Sequence, residues 1–370
     1  MAFPGAIRGR ADFSTLYTAG FMIRSGHASE LYDYDTNTEV QEQIIGPSHG
    51  PVPFNHLAYE TLFFAPFSLL PYRAAYGVFL ALNLALLLCS YRVIRVHATH
   101  LDGIWHPLSG AVFACFLSVG IALFQGQDSI ILLALLTWAY LAADKGHDSR
   151  AGFFLGLTFF KFQYCIPIAL LYLAWKRWRI FLSFAGTATV AVAVSFLITG
   201  LSRLSIYTSY LFSVSTRLGP GEQLKYAIYP LAMPNIFGLL FAVVGNHTVV
   251  TITVSCAIIV WAACRPPSFP LAVAVAMLVS YHGLIHDAAI LIIPILLFAE
   301  AALRGERRRL NRIWVPTAAL IYPTIAVSVT LPYCLLALPV LGFLPGPDEK
   351  AFAMTSRDAQ NAGIPASSGL

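Results

Sequence analysis

Long apolar runs divided by short polar turns fill most of the chain beyond residue 73. They cover roughly 74–91, 107–124, 129–143, 151–175, 180–200, 247–264, 269–282, 287–303 and 313–344. Several reach the roughly 20 residues that a helix needs to cross a bilayer. Two polar regions interrupt the series: residues 1–73, rich in Tyr, Pro, Gly and acidic side chains, and the loop 201–234. The pattern predicts an all-α polytopic membrane protein of about 9–11 transmembrane or half-length helices.

Composition agrees and narrows the class. Of 370 residues, 58% are hydrophobic and 11% charged, against about 25% charged in soluble domains. So few charges do not cover a globule of this size, and the mean hydropathy of +0.70 points the same way. A soluble enzyme, a secreted domain, a fibre and a disordered chain are excluded. The six cysteines lie in or beside apolar runs with no CxxC spacing, so they read as buried small hydrophobes, with no zinc site or disulfide framework. The prolines Pro332, Pro339, Pro345 and Pro347 close the membrane part, and the polar tail 346–370 is expected to be disordered.

Charge sets the orientation. If both polar regions lie outside the cytoplasm, about thirteen Lys and Arg fall inside against about seven outside, while about five acidic residues fall inside against ten outside. The positive-inside rule favours this arrangement. The basic residues are therefore topology signals, and they do not indicate a nucleic-acid partner. Parity adds two statements. Both flanks of 151–175 are then cytoplasmic, so that stretch enters and returns as two half-length helices with a turn near Lys161. The stretch Ile236–Val244 is also too short to span. Irregular backbone at membrane depth requires protein or a water-filled cavity around it, which makes both places candidate cavity walls.

Several polar residues stand out against this background. Asp12 precedes a helix-like run, Phe13–Ile23, where it suits either an N-cap or a catalytic acid. The proline-flanked aromatic stretch 51–71 suits an interfacial segment or a lipid groove; within it His56 and Glu60 stand at i and i+4, a weak metal signal. Gln127 and Asp128 sit in a polar turn, or bond a sugar if buried. Lys161, between Phe160 and Phe162, needs an anion at membrane depth, either a carboxylate of the protein or a substrate phosphate. His282, His286 and Asp287 end a span, with the two histidines on one face if the helix continues through Gly283. Asn235 caps a short helix whose N-terminus suits an anion.

The order of these residues carries a resemblance: Asp12 with Tyr17, Leu31-Tyr32-Asp33, Pro53-Phe-Asn-His56, Ala65-Pro66, Gly126-Gln127, Gly152…Lys161, Met233-Pro-Asn235 and Ser280…His286-Asp287. Over about residues 12–340 it resembles glycosyltransferase family 87, of the GT-C superfamily of membrane glycosyltransferases. The resemblance implies a GT-C-like domain over 1–345, with external loops at about 1–73 and 201–234. It implies an inverting transfer of a hexose, mannose first, from a polyprenyl-phosphate sugar to a lipid-linked or surface glycan, at the outer face of a bacterial plasma membrane. Asp12 stands where the superfamily places its base. His286, Lys161, Arg217 and Lys225 would stabilise the leaving phosphate, with Gln127, Asp128, Asp287, Asn235 and His56 completing the donor site. No metal or other cofactor is called for. The superfamily also places a transmembrane helix before the acid-bearing loop, and only eleven residues precede Asp12, so an upstream start is expected. The competing reading is a transporter or lipid flippase, against which the chain offers no two halves of matching hydropathy.

Overall fold

The computed structural model describes residues 12–46, 54–106, 108–203, 206–209 and 229–304. Arg217, Lys225, the apolar segment 313–344 and the tail lie outside the described residues. Among the described residues the chain is helical and contains no strand. In chain order the helices are α1 (Phe13–Arg24), α2 (Tyr34–Ile45), α3 (Tyr72–Ile94), α4 (Thr99–Ile104), α5 (Leu108–Cys115), α6 (Leu117–Gln125) and α7 (Ser129–Asp144). There follow α8 (Asp148–Leu157), α9 (Phe162–Ala174), α10 (Trp178–Thr199), α11 (Ile236–Val244), α12 (Thr248–Ala263), α13 (Phe269–Val279) and α14 (Ile292–Leu303).

These helices run between two ends of different character. At one end the tips of α3, α7, α13 and α14 meet: His97 packs on Tyr140, Tyr140 on Phe269, and Glu300 on His100. Arg95, Lys145, Arg177, Arg265 and Arg304 gather there or on the adjoining turns, and we call it the basic end. The opposite, loop end carries the first polar region, residues 12–71, and the stretch from 229 to 235. Glu300 fixes the basic end across 200 residues of sequence: its buried carboxylate accepts from the backbone N–H groups of His100 and Leu101 at 2.9–3.1 Å. Those groups open α4 and have no partner within the helix.

Tyr72–His97, Asp148–Ala174 and Trp178–Thr199 are long and apolar enough to cross a membrane. The second does not do so in one pass. A straight helix of 27 residues is about 40 Å long, yet Arg177, just beyond its end, pairs with Asp148 at its start at 2.6 Å. The chain turns back at 158–161, where a 3₁₀ turn separates α8 from α9. Half-length helices entering and leaving at the basic end are what the charge parity predicts. The run 107–124 departs from its expected single span: α5 and α6 meet at a 50° bend, where Phe116 adopts extended backbone, φ −69° and ψ 113°. No proline marks the break.

Packing follows residue size. α8 and α10 run side by side in the same direction, and the spacing Gly152-x-x-x-Gly156 lets their backbones touch. A Cβ on Gly152 would lie 2.2 Å from the carbonyl oxygen of Ile180, and one on Gly156 would lie 2.4 Å from the Thr187 side chain. The main core joins these helices to α7, α13 and the start of α14 through Leu133, Leu136, Ile168, Val275 and Ile290, all fully buried. The first polar region has its own core, with Phe13, Met22, Phe54 and Phe64 packed on Tyr76 and Phe79 of α3. Its turns over 58–69 leave Leu62, Phe63 and Leu69 exposed, as an interfacial segment requires.

The α8–α10 contact is testable. Gly152→Ala forces backbone apart from backbone and should destabilise the detergent-purified protein by about 1–3 kcal/mol, read as a lower unfolding temperature. Gly186→Ala, on the open side of α10 with nothing within 4 Å of the added carbon, should not.

Candidate functional site

The site begins with the tip of the α8–α9 hairpin. α8, 10 residues long, climbs about 15 Å from the basic end, about half of a ~30 Å hydrocarbon layer. There the helix must stop without leaving carbonyls unpaired. The Tyr59 hydroxyl donates to the Leu157 carbonyl at 3.1 Å and the Thr158 hydroxyl to that of Leu155 at 2.6 Å. With the backbone satisfied, the turn points Lys161 into the protein, where it is 3% exposed.

Lys161 finds its anions in the protein. Its ammonium lies 2.7 Å from Oδ1 of Asp128, bonds Oδ1 of Asp287, and donates to the Ser129 hydroxyl at 3.0 Å. Ser129 in turn donates to Asp287 at 2.8 Å, and the Leu284 N–H donates to the other Asp287 oxygen at 3.2 Å. Three segments thus meet on one cation: the tip of α8–α9, the start of α7 and the turn into α14. Removing one partner of such a buried pair typically costs about 3–5 kcal/mol, because the other charge is left unpaired. Behind Asp128 stands His56, 3.3 Å from Oδ2, and His56 Nδ1 lies 2.6 Å from Glu60 Oε2.

A cavity with about 630 Å³ of empty space, part of it open to solvent, lies over this cluster. Lys161, Asp287, His286 and His56 form its polar floor and sides, and Asp12 and Gln127 stand on its wall. Asp12 precedes α1 without capping it: its side chain bonds no α1 backbone N–H and accepts from the Gln127 side-chain amide. Gly126 permits that approach. It ends α6 in the left-handed conformation, φ +61°, and a Cβ there would lie 2.7 Å from Phe13 Cβ. Bonds from Gly126 N to Leu123 O and from Gln127 N to Ala122 O close the turn as a Schellman motif, and Tyr76 anchors it through the Phe124 carbonyl at 2.8 Å. A glycine at this one position brings Asp12, Gln127 and the Asp128–Lys161 pair together.

Two other predicted residues sit apart from the cavity wall. Asp128 is fully buried behind the floor. Asn235 caps α11 by accepting from Gly238 N at 2.8 Å and donates to the Ser280 carbonyl at 2.9 Å, so it ties α11 to the end of α13. α13 ends at Val279; the conditional helix through Gly283 is not formed, and His282 and His286 reach the cavity from an irregular turn. Gly283 sits in that turn because a Cβ would meet Ser280 Oγ at 2.7 Å and the Tyr164 hydroxyl at 2.9 Å. His286 Nδ1 lies 3.0 Å from Gln125 Oε1, which assigns the ring proton to Nδ1 and leaves Nε2 3.7 Å from Asp287. Sequence reasoning missed Ser129, Asn55 and Gln163. For Gln163 the signal was present, a second polar side chain two residues beyond Lys161 in an apolar run.

His56, Glu60 and Asp128 bring ligand-type atoms within 4.8 Å of one another. In this arrangement Lys161 pairs with Asp128 and His56 with Glu60. Outside the spanning helices, burial pushes the Glu60 carboxyl up to about 7, with the His56 charge opposing and that of Asp128 adding to the rise. Burial also disfavours charged His56, but the carboxylates of Glu60 and Asp128 outweigh it and hold its pKa above the ordinary value.

A model of glycosyltransferase family 87 matches residues 60–294, well over half of the chain. No curated protein and no solved structure matches it.

The His56–Glu60 pair predicts a pH dependence. Both groups hold protons in the fold at a pH where the unfolded chain has released them, so stability must fall as pH rises. For Glu60 the loss runs from its ordinary value to about 7; for His56 it continues as pH passes through its raised value. The unfolding temperature of the purified protein should therefore drop between about pH 4.5 and pH 7. Glu60→Gln should remove most of that slope; an unchanged slope would mean that Glu60 is ionised in the fold throughout.

Proposed function

The chain belongs to glycosyltransferase family 87 and is a membrane glycosyltransferase; from that premise we propose that it moves a hexose, mannose first, from a polyprenyl-phosphate sugar to a lipid-linked or surface glycan with inversion. The active site is the cavity at the loop end, which opens outside the cytoplasm of a bacterial plasma membrane. The charge bias supports that orientation, since the basic end then faces inward. The observation that carries the catalytic assignment is the Asp12 carboxylate, turned away from its own helix and held at the cavity wall by Gln127.

In this scheme Asp12 accepts the proton of the acceptor hydroxyl as that oxygen attacks the anomeric carbon. The bond from that carbon to the phosphate oxygen breaks on the opposite face, as inversion requires. A positioned base contributes about 10²–10⁴-fold. The leaving group is already a phosphate, so it requires charge stabilisation and no general acid. His282 stands at the cavity to donate to it, and His286 does so once its Nε2 also takes up a proton. Lys161, held by two carboxylates, acts mainly by fixing the floor on which Asp287 and His286 sit. Arg217 and Lys225 remain proposed phosphate ligands from the second loop. No step passes through a metal.

The test is transfer of radiolabelled mannose from polyprenyl-phosphate-mannose in vesicles bearing the chain. Asp12→Asn should reduce transfer by about 10²–10⁴-fold, and Gln127→Ala by less, since the carboxylate remains but is no longer oriented. Transfer equal in wild type and Asp12→Asn would remove Asp12 from the mechanism. A chelator should leave the wild-type rate unchanged.

A further inference from the structure

A second concave site lies at the basic end, between α7 and α8. It encloses about 840 Å³ of space open to solvent and is separate from the catalytic cavity. Asp128, where α7 begins, belongs to the Lys161 cluster; the groove lies at the other end of the helix, about 24 Å away. Its wall is built at helical spacing: Trp138, Leu141 and Lys145 follow one face of α7, while Arg150 and Phe154 follow one face of α8. Trp138 and Phe154 pack with ring centroids 5.8 Å apart. The wall is therefore apolar toward the interior of the bundle and basic where the helices end.

The basic rim is rigid. Gly146, at φ +72°, closes α7, with Gly146 N bonded to Ala143 O and His147 N to Ala142 O. That Schellman turn holds Lys145 and His147 on either side of the glycine, with Arg150 in the first turn of α8. All three are exposed, and none forms an ion pair among the described residues. Of the two acids in this turn, Asp148 is engaged by Arg177 through two bonds, at 2.6 and 3.3 Å, which leaves Asp144 beside the rim. A net positive rim over an aromatic, apolar wall matches a molecule with an anionic head and a hydrocarbon tail.

We propose that this groove binds an anionic phospholipid, its phosphate against Lys145, His147 and Arg150 and an acyl chain along Trp138, Leu141 and Phe154. The occupant is a lipid and not free phosphate, because the apolar wall continues directly from the rim. Such a lipid would clasp the α7–α8 turn, whose two helices carry Asp128 and the Lys161 tip at their far ends.

The full chain, exchanged into micelles containing equal phosphatidylglycerol and phosphatidylcholine, tests this by native mass spectrometry of retained lipid. Phosphatidylglycerol should be retained with a preference of about tenfold or more. Lys145→Gln with Arg150→Gln should abolish most of that preference, while Arg92→Gln with Arg95→Gln, which removes equal charge from the same end outside the groove, should preserve it. Inorganic phosphate should not displace the lipid. Equal retention of the two lipids overturns the proposal, as does an equal fall in both double variants or displacement by phosphate. Unfolding temperatures measured alongside keep a folding defect from passing as a binding one, and Trp138→Ala supplies a second variant, expected to weaken retention of both lipids.

Discussion

A buried ammonium decides how this protein is put together. Lys161 is placed by a helical hairpin at a depth where an unpaired charge costs several kcal/mol, and among the described residues Asp128 and Asp287 are the carboxylates that pair with it. Satisfying that one charge fixes the height of the α8–α9 tip, the start of α7 and the turn into α14 relative to one another. The same contacts form the floor of the cavity. A structural requirement of the membrane interior and the geometry of the proposed active site are thus met by one set of atoms.

Glycines transmit that constraint to the rest of the molecule. Gly152 and Gly156 let α8 lie against α10, so the half-length helix is held by backbone contact rather than by a long apolar stripe. Gly126 lets the first polar region approach closely enough for Asp12 to reach Gln127. In both places a side chain would separate elements that the site needs together. The interior stays well packed around these contacts, because the first polar region carries an aromatic core of its own in which Phe13 stacks on Phe79 at 4.8 Å.

The two ends of the bundle do different work with similar parts. At the loop end polar groups converge inward on one another, leaving a cavity whose charge is balanced among Lys161, His56 and three buried carboxylates. At the basic end Lys145 and Arg304 are exposed, while Glu300 turns back to close the start of α4. Acidic groups at the cavity and basic groups at the opposite rim give the bundle the charge asymmetry on which the proposed orientation rests.

The sequence by itself determined the helical class, the alternation of the segments, the re-entry at 151–175 and the need of Lys161 for an anion. Each of these follows from local quantities: run length, charge parity, and the cost of a charge in an apolar run. It also set Asp12, His286 and Asp287 apart as candidate polar groups. Tertiary structure decided the partners. Whether Lys161 met a substrate or a carboxylate, and whether Asp12 capped its helix or faced a cavity, depended on groups 126 and 115 residues away. The bend at Phe116 and the end of α13 at Val279 were likewise invisible, since the apolar pattern runs through both points. Hydropathy records how far a segment travels through the membrane; pairing between distant side chains is set by which helices pack together, and no local pattern encodes that.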